Sequence, residues 1–350
     1  MKVESSARAG SPPVVPVTAP FASGRPALTE LRAAHARSAA HAIRTPLVRL
    51  PAHPGEPEVW LKLECLQPIG SFKIRGAANA MALSPKESLA AGVATASAGN
   101  MAQGVAWVAR ALGVPCTVVA PDHAPAAKLE ALARLGANVI PVPFARWWQA
   151  LEERGYPGLG GVFVHPVSDE AVICGNAGIG IEILEDLPEP AAVLVPYGGG
   201  GLSCGIALAL RASGSRAPVF SCEPETAAPL AASFAAGAPR AIEYRASFVD
   251  GIGGRAVLPE MWPLARDLLA GACVSTLGEI AAAIHTLVTR AHVVAEGGGA
   301  AGVAAALGSR EATGAGGARL TLPEGPLVCV VSGGNIDPAK LATILDGRVP

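Results

Sequence analysis

Between Gly92 and Cys222 short apolar runs alternate with helix-length, alanine-rich segments, and this alternation restricts the fold more than any other feature of the chain. Strand patterns stand over Gly92–Ala96, Pro115–Ala120, Asn138–Val142, Val162–Val167, Ala191–Pro196 and Val219–Cys222. Helical patterns over Met101–Leu112, Ala124–Leu135, Arg146–Arg154 and Gly178–Asp186, and one running to Arg211, lie between them. Strands spaced by helices of this length pair in parallel, because each helix carries the chain back across one face of the sheet. Upstream, Pro26–Ala39 reads as an amphipathic helix with Thr29 as its N-cap, Glu58–Glu64 as a strand and Arg75–Ala82 as a helix. Downstream, helical segments dominate from Leu258 to Leu307, and Leu327–Val331 is a last buried strand. Ligands of such a sheet collect at the carboxyl ends of its strands, so the residues that follow each strand carry the functional information.

Composition narrows the partners. A chain of 350 residues with a formal net charge of -1 has no electrostatic reason to bind nucleic acid or an anionic membrane, which leaves a small ligand as the expected partner. The seven cysteines are scattered and form neither a CxxC pair nor a disulfide framework, which points to the cytoplasm. Residues 1–27, rich in Ser, Pro and Ala and without an apolar run of signal-peptide type, read as a poorly ordered tail. The apolar stretch Ala191–Leu210 is broken by glycines and a proline, so it reads as strand, loop and buried helix and not as a membrane span.

Four strand ends carry chemistry. Gly198-Gly199-Gly200-Gly201-Leu202 joins a strand to a helix, and successive glycines let backbone N–H groups approach an anion while the helix start adds its dipole. A tight turn is the ordinary alternative, but each glycine costs about 0.5–1 kcal/mol relative to alanine in regular structure, which favours a phosphate cradle. No GxGxxG follows the first strand, so a dinucleotide site is disfavoured. Ser97-Ala98-Gly99-Asn100-Met101 opens a helix whose unpaired amides suit a carboxylate, although Ser97 or Asn100 could equally be a plain N-cap. Ser332 follows the final strand and precedes Gly333-Gly334-Asn335. Lys73, between Phe72 and Ile74, is either a solvated surface lysine or an amine whose pKa is lowered by desolvation, as a Schiff base with a carbonyl cofactor requires.

Ser71-Phe72-Lys73, Ser97-Ala98-Gly99-Asn100, Gly198–Gly201 with Leu202, and Ser332-Gly333-Gly334-Asn335 resemble, in the same order and at similar spacing, the fold-type II pyridoxal-phosphate enzymes. The likeness runs from about Thr45 to the C-terminus and falls in the threonine dehydratase and serine racemase branch. It implies an α/β architecture of the tryptophan synthase β type, with two open, twisted, mostly parallel sheets flanked by helices. A large domain over 28–95 and 166–350 would enclose a small mobile domain over 96–165. The resemblance makes Lys73 the lysine that holds pyridoxal 5'-phosphate and moves the Cα proton, with Phe72 against the ring and Asn100 at its hydroxyl. Gly198, Gly199, Gly200, Gly201 and Leu202 would hold the phosphate, Ser332 the pyridine nitrogen, and Glu296 would lie near the ring, where a helix-start carboxylate is the plainer reading. Ser97, Ala98, Gly99, Asn100 and Met101 would meet the substrate. A neutral serine at the nitrogen favours prompt loss of a β-substituent over transamination.

The activity implied is dehydration and deamination of a 3-hydroxy L-amino acid such as threonine, serine or phenylserine, with a racemase or β-replacement enzyme as the alternative. Ala98 stands where serine racemases carry a serine that serves as the second acid/base, which takes support from racemisation. Glu223 and Ala227 match the start of a cation site found in relatives, but Pro229 replaces a carboxylate, so no metal is expected. Trp147, Trp148, Phe234, Tyr244 and Phe248 are candidates for an outer pocket or for the core. A homodimer is implied by the family, and the short stretch after Ser332 leaves no room for a regulatory domain.

Overall fold

The computed structural model describes residues 19–350. Its strands are β1 (Leu47–Arg49), β2 (Val59–Lys62), β3 (Val93–Ala96), β4 (Cys116–Pro121), β5 (Asn138–Val142), β6 (Val162–Phe163), β7 (Ala192–Pro196), β8 (Val219–Pro224), β9 (Gly271–Ser275), β10 (Glu311–Thr313), β11 (Arg319–Thr321) and β12 (Leu327–Val330). They form two sheets, one ordered β1-β2-β12-β7-β8-β9-β10-β11 and the other β5-β4-β3-β6. The smaller sheet is wholly parallel, as are β2, β12, β7, β8 and β9 of the larger one, while β1, β10 and β11 run antiparallel at its edges. Every residue of β7, β8 and β12 is buried, as expected for strands covered by helices on both faces. This is the fold-type II architecture the motifs implied.

Several boundaries move for identifiable reasons. The first helix, Leu28–Ser38, is not capped by Thr29; Ala27 is the N-cap and its amide donates to Glu30 Oε2 at 2.7 Å. Most of the expected tail lies outside the described residues, but its last part, 19–27, contains a turn that buries Phe21 in the core and sends the Phe21 amide to Glu170 Oε1. The strand expected over Val162–Val167 ends at Phe163, because Pro166 has no amide to give and His165 begins a turn. The helix expected from Gly178 starts at Glu170, where Asp169 accepts from the Ala171 amide at 2.9 Å. β9 lies inside the stretch read as helical, and the smaller sheet begins at Val93, ahead of the expected boundary at Ala96. No described helix is long and apolar enough to cross a membrane, and all seven cysteines are free.

Beneath the Lys73 helix (Lys73–Leu83) lies a buried set of four charges. Lys62 of β2, Glu64, Arg75 and Glu182 are each no more than 1 % exposed. Arg75 Nε and Nη2 donate to the two oxygens of Glu64 at 2.8 Å, and Nη1 and Nη2 to those of Glu182 at 2.7 and 2.9 Å. Lys62 Nζ pairs with Glu182 at 2.5 Å and donates to the Thr45 carbonyl at 2.6 Å, while the Thr45 hydroxyl donates to Glu64. Burial alone would raise the Glu64 carboxyl, but the Arg75 charge and its hydrogen bonds hold it below the ordinary range.

Removing one member of such a set leaves the others charged and unpaired in the interior. Arg75→Met is expected to cost about 3–5 kcal/mol of unfolding free energy, measured by urea titration of the cofactor-free protein. Arg44→Ala, which breaks a surface pair with Glu185 and Asp186, is the comparison and should cost under about 1 kcal/mol.

Candidate active site

β2 and β12 are parallel neighbours, so the segments leaving their carboxyl ends start side by side. They stay joined: Ser71 bridges to Gly333, the Phe72 amide donates to the Ser332 carbonyl at 3.0 Å, and the Gly334 amide to the Gly70 carbonyl at 2.8 Å. This seam brings Phe72 and Lys73, the first residue of its helix, next to Ser332, which is buried. Two motifs more than 250 positions apart in sequence thus form one floor.

The Lys73 amine donates to the Pro166 carbonyl at 2.9 Å and lies 5.2 Å from the centre of the Phe72 ring. Burial pulls its pKa down to about 8, against the charge of Glu296, which pushes it up. Next to Pro166, the His165 ring is buried, and its Nδ1 accepts from the amides of Val167 at 3.3 Å and Ser168 at 2.9 Å. Burial first, then the charges of Arg154 and Lys73, lower the imidazole to about 3, so it is neutral at physiological pH with its proton on Nε2. Neither His165 nor Pro166 is singled out from the sequence alone; a His-Pro pair inside an expected strand was the available signal.

The glycine loop turns from β7 into the helix Gly201–Ala212, with Gly200 at φ 96°, where a side chain would be strained. A Cβ at Gly199 would stand 2.5 Å from the Val167 side chain, and one at Gly201 would stand 2.6 Å from the Val167 carbonyl. The segment that receives the Lys73 amine therefore also lies against this loop. No acceptor among the described residues takes the amide hydrogens of Gly198 to Ser203. A run of free N–H groups at a helix start, within reach of a buried amine, fits a phosphorylated carbonyl compound.

Asn100 is the N-terminal residue of the helix Asn100–Leu112 and connects the two sheets. Asn335 Nδ2 donates to the Ile69 carbonyl at 2.9 Å and to Asn100 Oδ1 at 2.8 Å, and Asn100 Nδ2 donates to Glu296 Oε1 at 2.8 Å. The Ile69 carbonyl can only accept, so it sets the polarity of both carboxamides and leaves Asn100 with a second N–H to offer a ligand. Gly70, at φ 70°, admits this arrangement: a Cβ there would meet Asn335 Oδ1 at 2.6 Å. Glu296 is the N-cap residue of the helix Gly297–Leu307, and burial raises its carboxyl to about 7 despite the bond from Asn100. Across the cleft rim, Lys128 pairs with Asp250 at 3.2 Å.

The remaining candidates divide. Ser97, Ala98, Gly99 and Asn100 are half-buried at the turn, and the Ser97 hydroxyl accepts from the Gly99 amide at 3.1 Å. Met101 does not join them: one residue into the helix it points into the core with Ile74 and Val105 and is 2 % exposed. Leu202 is buried in the core beside the glycine loop. Of the aromatic residues, Phe234 packs edge-on to Trp262 and Phe248 lies in the second core cluster, while Trp147 and Trp148 contact Phe144 on the smaller sheet's helix and Tyr244 is exposed. Glu223 accepts from the amides of Leu230 and Ala231 at 2.9 Å, so both its oxygens cap the helix that Pro229 begins.

A family model described as "Pyridoxal-phosphate dependent enzyme" matches residues 39–333. The chain is 39% identical over 294 residues to the L-threonine ammonia-lyase of Geobacter sulfurreducens, a match covering 82% of this chain and 70% of that one. It is 32% identical over 319 residues to the serine racemase of Oryza sativa subsp. indica, covering 88% and 90%. The structure of maize serine racemase is similar with a TM-score of 0.82 at 30% identity, over 92% of this chain and 97% of that one.

The depressed amine is directly testable. In cofactor-free protein, acylation of Lys73 followed by peptide mass mapping should show an ionisation midpoint near 8 rather than 10.5. Because the Glu296 charge raises the amine, Glu296→Gln should move the midpoint further down; a value near that of a free lysine in either protein would contradict the site as described.

Proposed function

The chain belongs to the pyridoxal-phosphate dependent enzymes, of fold type II, and on that premise we propose that it eliminates water from a 3-hydroxy L-amino acid, the resulting enamine being hydrolysed to a 2-oxo acid and ammonia. The observation that carries the proposal is the buried Lys73 amine, drawn down to about 8 and lying on the segment that packs against the glycine loop. Lys73, Phe72, Asn100, the Gly198–Leu202 loop, Glu296 and Ser332 would hold pyridoxal phosphate, which supplies a sink for the electron pair left when the Cα proton is removed.

The chain's own residues supply orientation and proton handling. Burial favours the neutral form of the Lys73 amine, the form that can take the Cα proton, and the Pro166 carbonyl holds it at the point from which it would do so. The Ser97–Asn100 turn presents amides and a helix dipole to the substrate carboxylate. Ser332 would offer a neutral hydroxyl to the cofactor's ring nitrogen, a weaker stabiliser of negative charge than a protonated nitrogen held by a carboxylate, and so would favour early loss of the β-hydroxyl. The released enamine tautomerises and hydrolyses to the 2-oxo acid and ammonia.

Racemisation is the second reading, since two of the similar proteins are serine racemases. It needs a proton donor on the face opposite Lys73, and Ala98, packed against the apolar core of the smaller lobe, has no transferable proton. The proposal extends to a homodimer in the cytoplasm, a reading supported by the family likeness and by the free cysteines.

Incubation with L-threonine, L-serine and L-threo-phenylserine should release ammonia and 2-oxo acid in equal amounts. Lys73→Ala should lose at least about a thousandfold in rate, as expected when the group that moves the proton and anchors the cofactor is removed. Borohydride reduction with bound cofactor should place the adduct at Lys73. Accumulation of D-isomer without 2-oxo acid, or an adduct elsewhere, would overturn the proposal.

A further inference from the structure

Lys73 holds its amine on the Pro166 carbonyl, and nothing in the backbone of a His-Pro-Val-Ser segment obliges that carbonyl to face the lysine. What folds the segment is the neighbouring side chain. His165 Nδ1 accepts from the amides two and three residues ahead, Val167 at 3.3 Å and Ser168 at 2.9 Å, and the Ser168 hydroxyl lies 3.1 Å away. A side-chain acceptor bound to the amides at i+2 and i+3 is the geometry of an Asx or ST turn, here made by an imidazole. The ring and Ser168 are buried at 6 % and 3 % exposure and Val167 is half-buried, so breaking the turn would leave the Ser168 amide without a partner in the interior.

We propose that His165 is a positioning residue: by templating the 165–168 turn it aims the Pro166 carbonyl at the Lys73 amine and seats Val167 against Gly199 and Gly201. One side chain thereby sets the lysine and the glycine loop relative to each other. The imidazole acts as a neutral acceptor and exchanges no proton in this role. The charged and titratable groups facing this segment include Arg154, whose Nη2 donates to the Ser168 hydroxyl at 2.8 Å, Asp169, which follows Ser168 and interacts with Arg154, Lys73 itself, and Glu296, which acts on Lys73 from the N-cap of its helix.

The δ atom of asparagine sits where Nδ1 sits, one bond beyond Cγ, so Asn can accept the same two amides, whereas leucine keeps the volume and accepts nothing. In cofactor-free protein His165→Leu preserves burial but frees the carbonyl, so the protonated Lys73 amine loses an acceptor and its acylation midpoint should drop by about one pH unit. His165→Asn should return the midpoint to the parent value. In the loaded enzyme, an arm that rests on the proposed elimination activity, kcat should fall at least about tenfold in the Leu variant with KM within about twofold, and Asn should recover most of it. A Leu variant with parental midpoint and kcat, or an Asn variant that behaves like Leu, overturns the inference. If the Leu variant does not fold, His165→Asn decides alone: a parental midpoint supports the turn and a displaced one refutes it. Absence of turnover in the parent would count against the elimination reading and leave the midpoint comparison intact.

Discussion

The structure depends on four charges placed where charges are least welcome. Arg75 lies two positions beyond Lys73, and its guanidinium is clamped between Glu64 and Glu182, with Lys62 completing a neutral set. Taking such ions out of water costs several kcal/mol each, and their mutual attraction roughly offsets that loss, so the set adds little net stability. Its effect is on registry. Glu64 follows β2, Arg75 is in the Lys73 helix and Glu182 in the long helix Glu170–Asp186, so these elements share one arrangement in which every donor and acceptor is met. A slip by one residue would strand a charge in the interior, which makes the position of Lys73 a discrete state.

From this anchor the cleft is assembled by short polar seams between strand ends. Backbone bonds join 70–72 to 332–334, the Lys73 amine spans to Pro166, and Asn335, Asn100 and Glu296 form a chain whose direction is dictated by one carbonyl. Each seam joins motifs far apart in sequence; two of them leave a group for a ligand, the amine and a carboxamide hydrogen, and the glycine-loop amides stand beside Val167. The site is thus organised to donate hydrogen bonds, which suits a ligand that carries a phosphate and a carboxylate.

Much of this was legible in the chain. Asn138–Val142 reads as a strand and is one to the residue, and the helix expected over Arg146–Arg154 is found two positions earlier because Pro143 fits just ahead of its first turn. Lys73, Asn100 and the glycine loop stand after apolar strands, and the family resemblance is what names roles for them. The failures share a cause, which is that tertiary contact overrode local pattern. The helix expected from Gly178 in fact runs from Glu170 through Gly175, where a Cβ would stand 2.5 Å from the Arg75 carbonyl, so that glycine serves helix packing. β9, Gly-Ala-Cys-Val-Ser, is too short and too alanine-like to stand out between helices, and becomes a strand because β8 offers it an edge. Arg75 has no local signature, and His165 and Asn335 show only as members of a His-Pro pair and of the Ser332-Gly333-Gly334-Asn335 turn, since their roles are defined by partners elsewhere in the chain.

The smaller sheet is entered by β3 and left by β6, and these two strands pair with each other, Val93 with Val162 and Ala94 with Phe163. Its points of departure and return are therefore about 5 Å apart, one strand spacing. None of the larger sheet's hydrogen-bonded neighbours comes from between them. Excised there and closed with a short link, the chain would retain all eight strands of the larger sheet with every hydrogen-bonded neighbour in place.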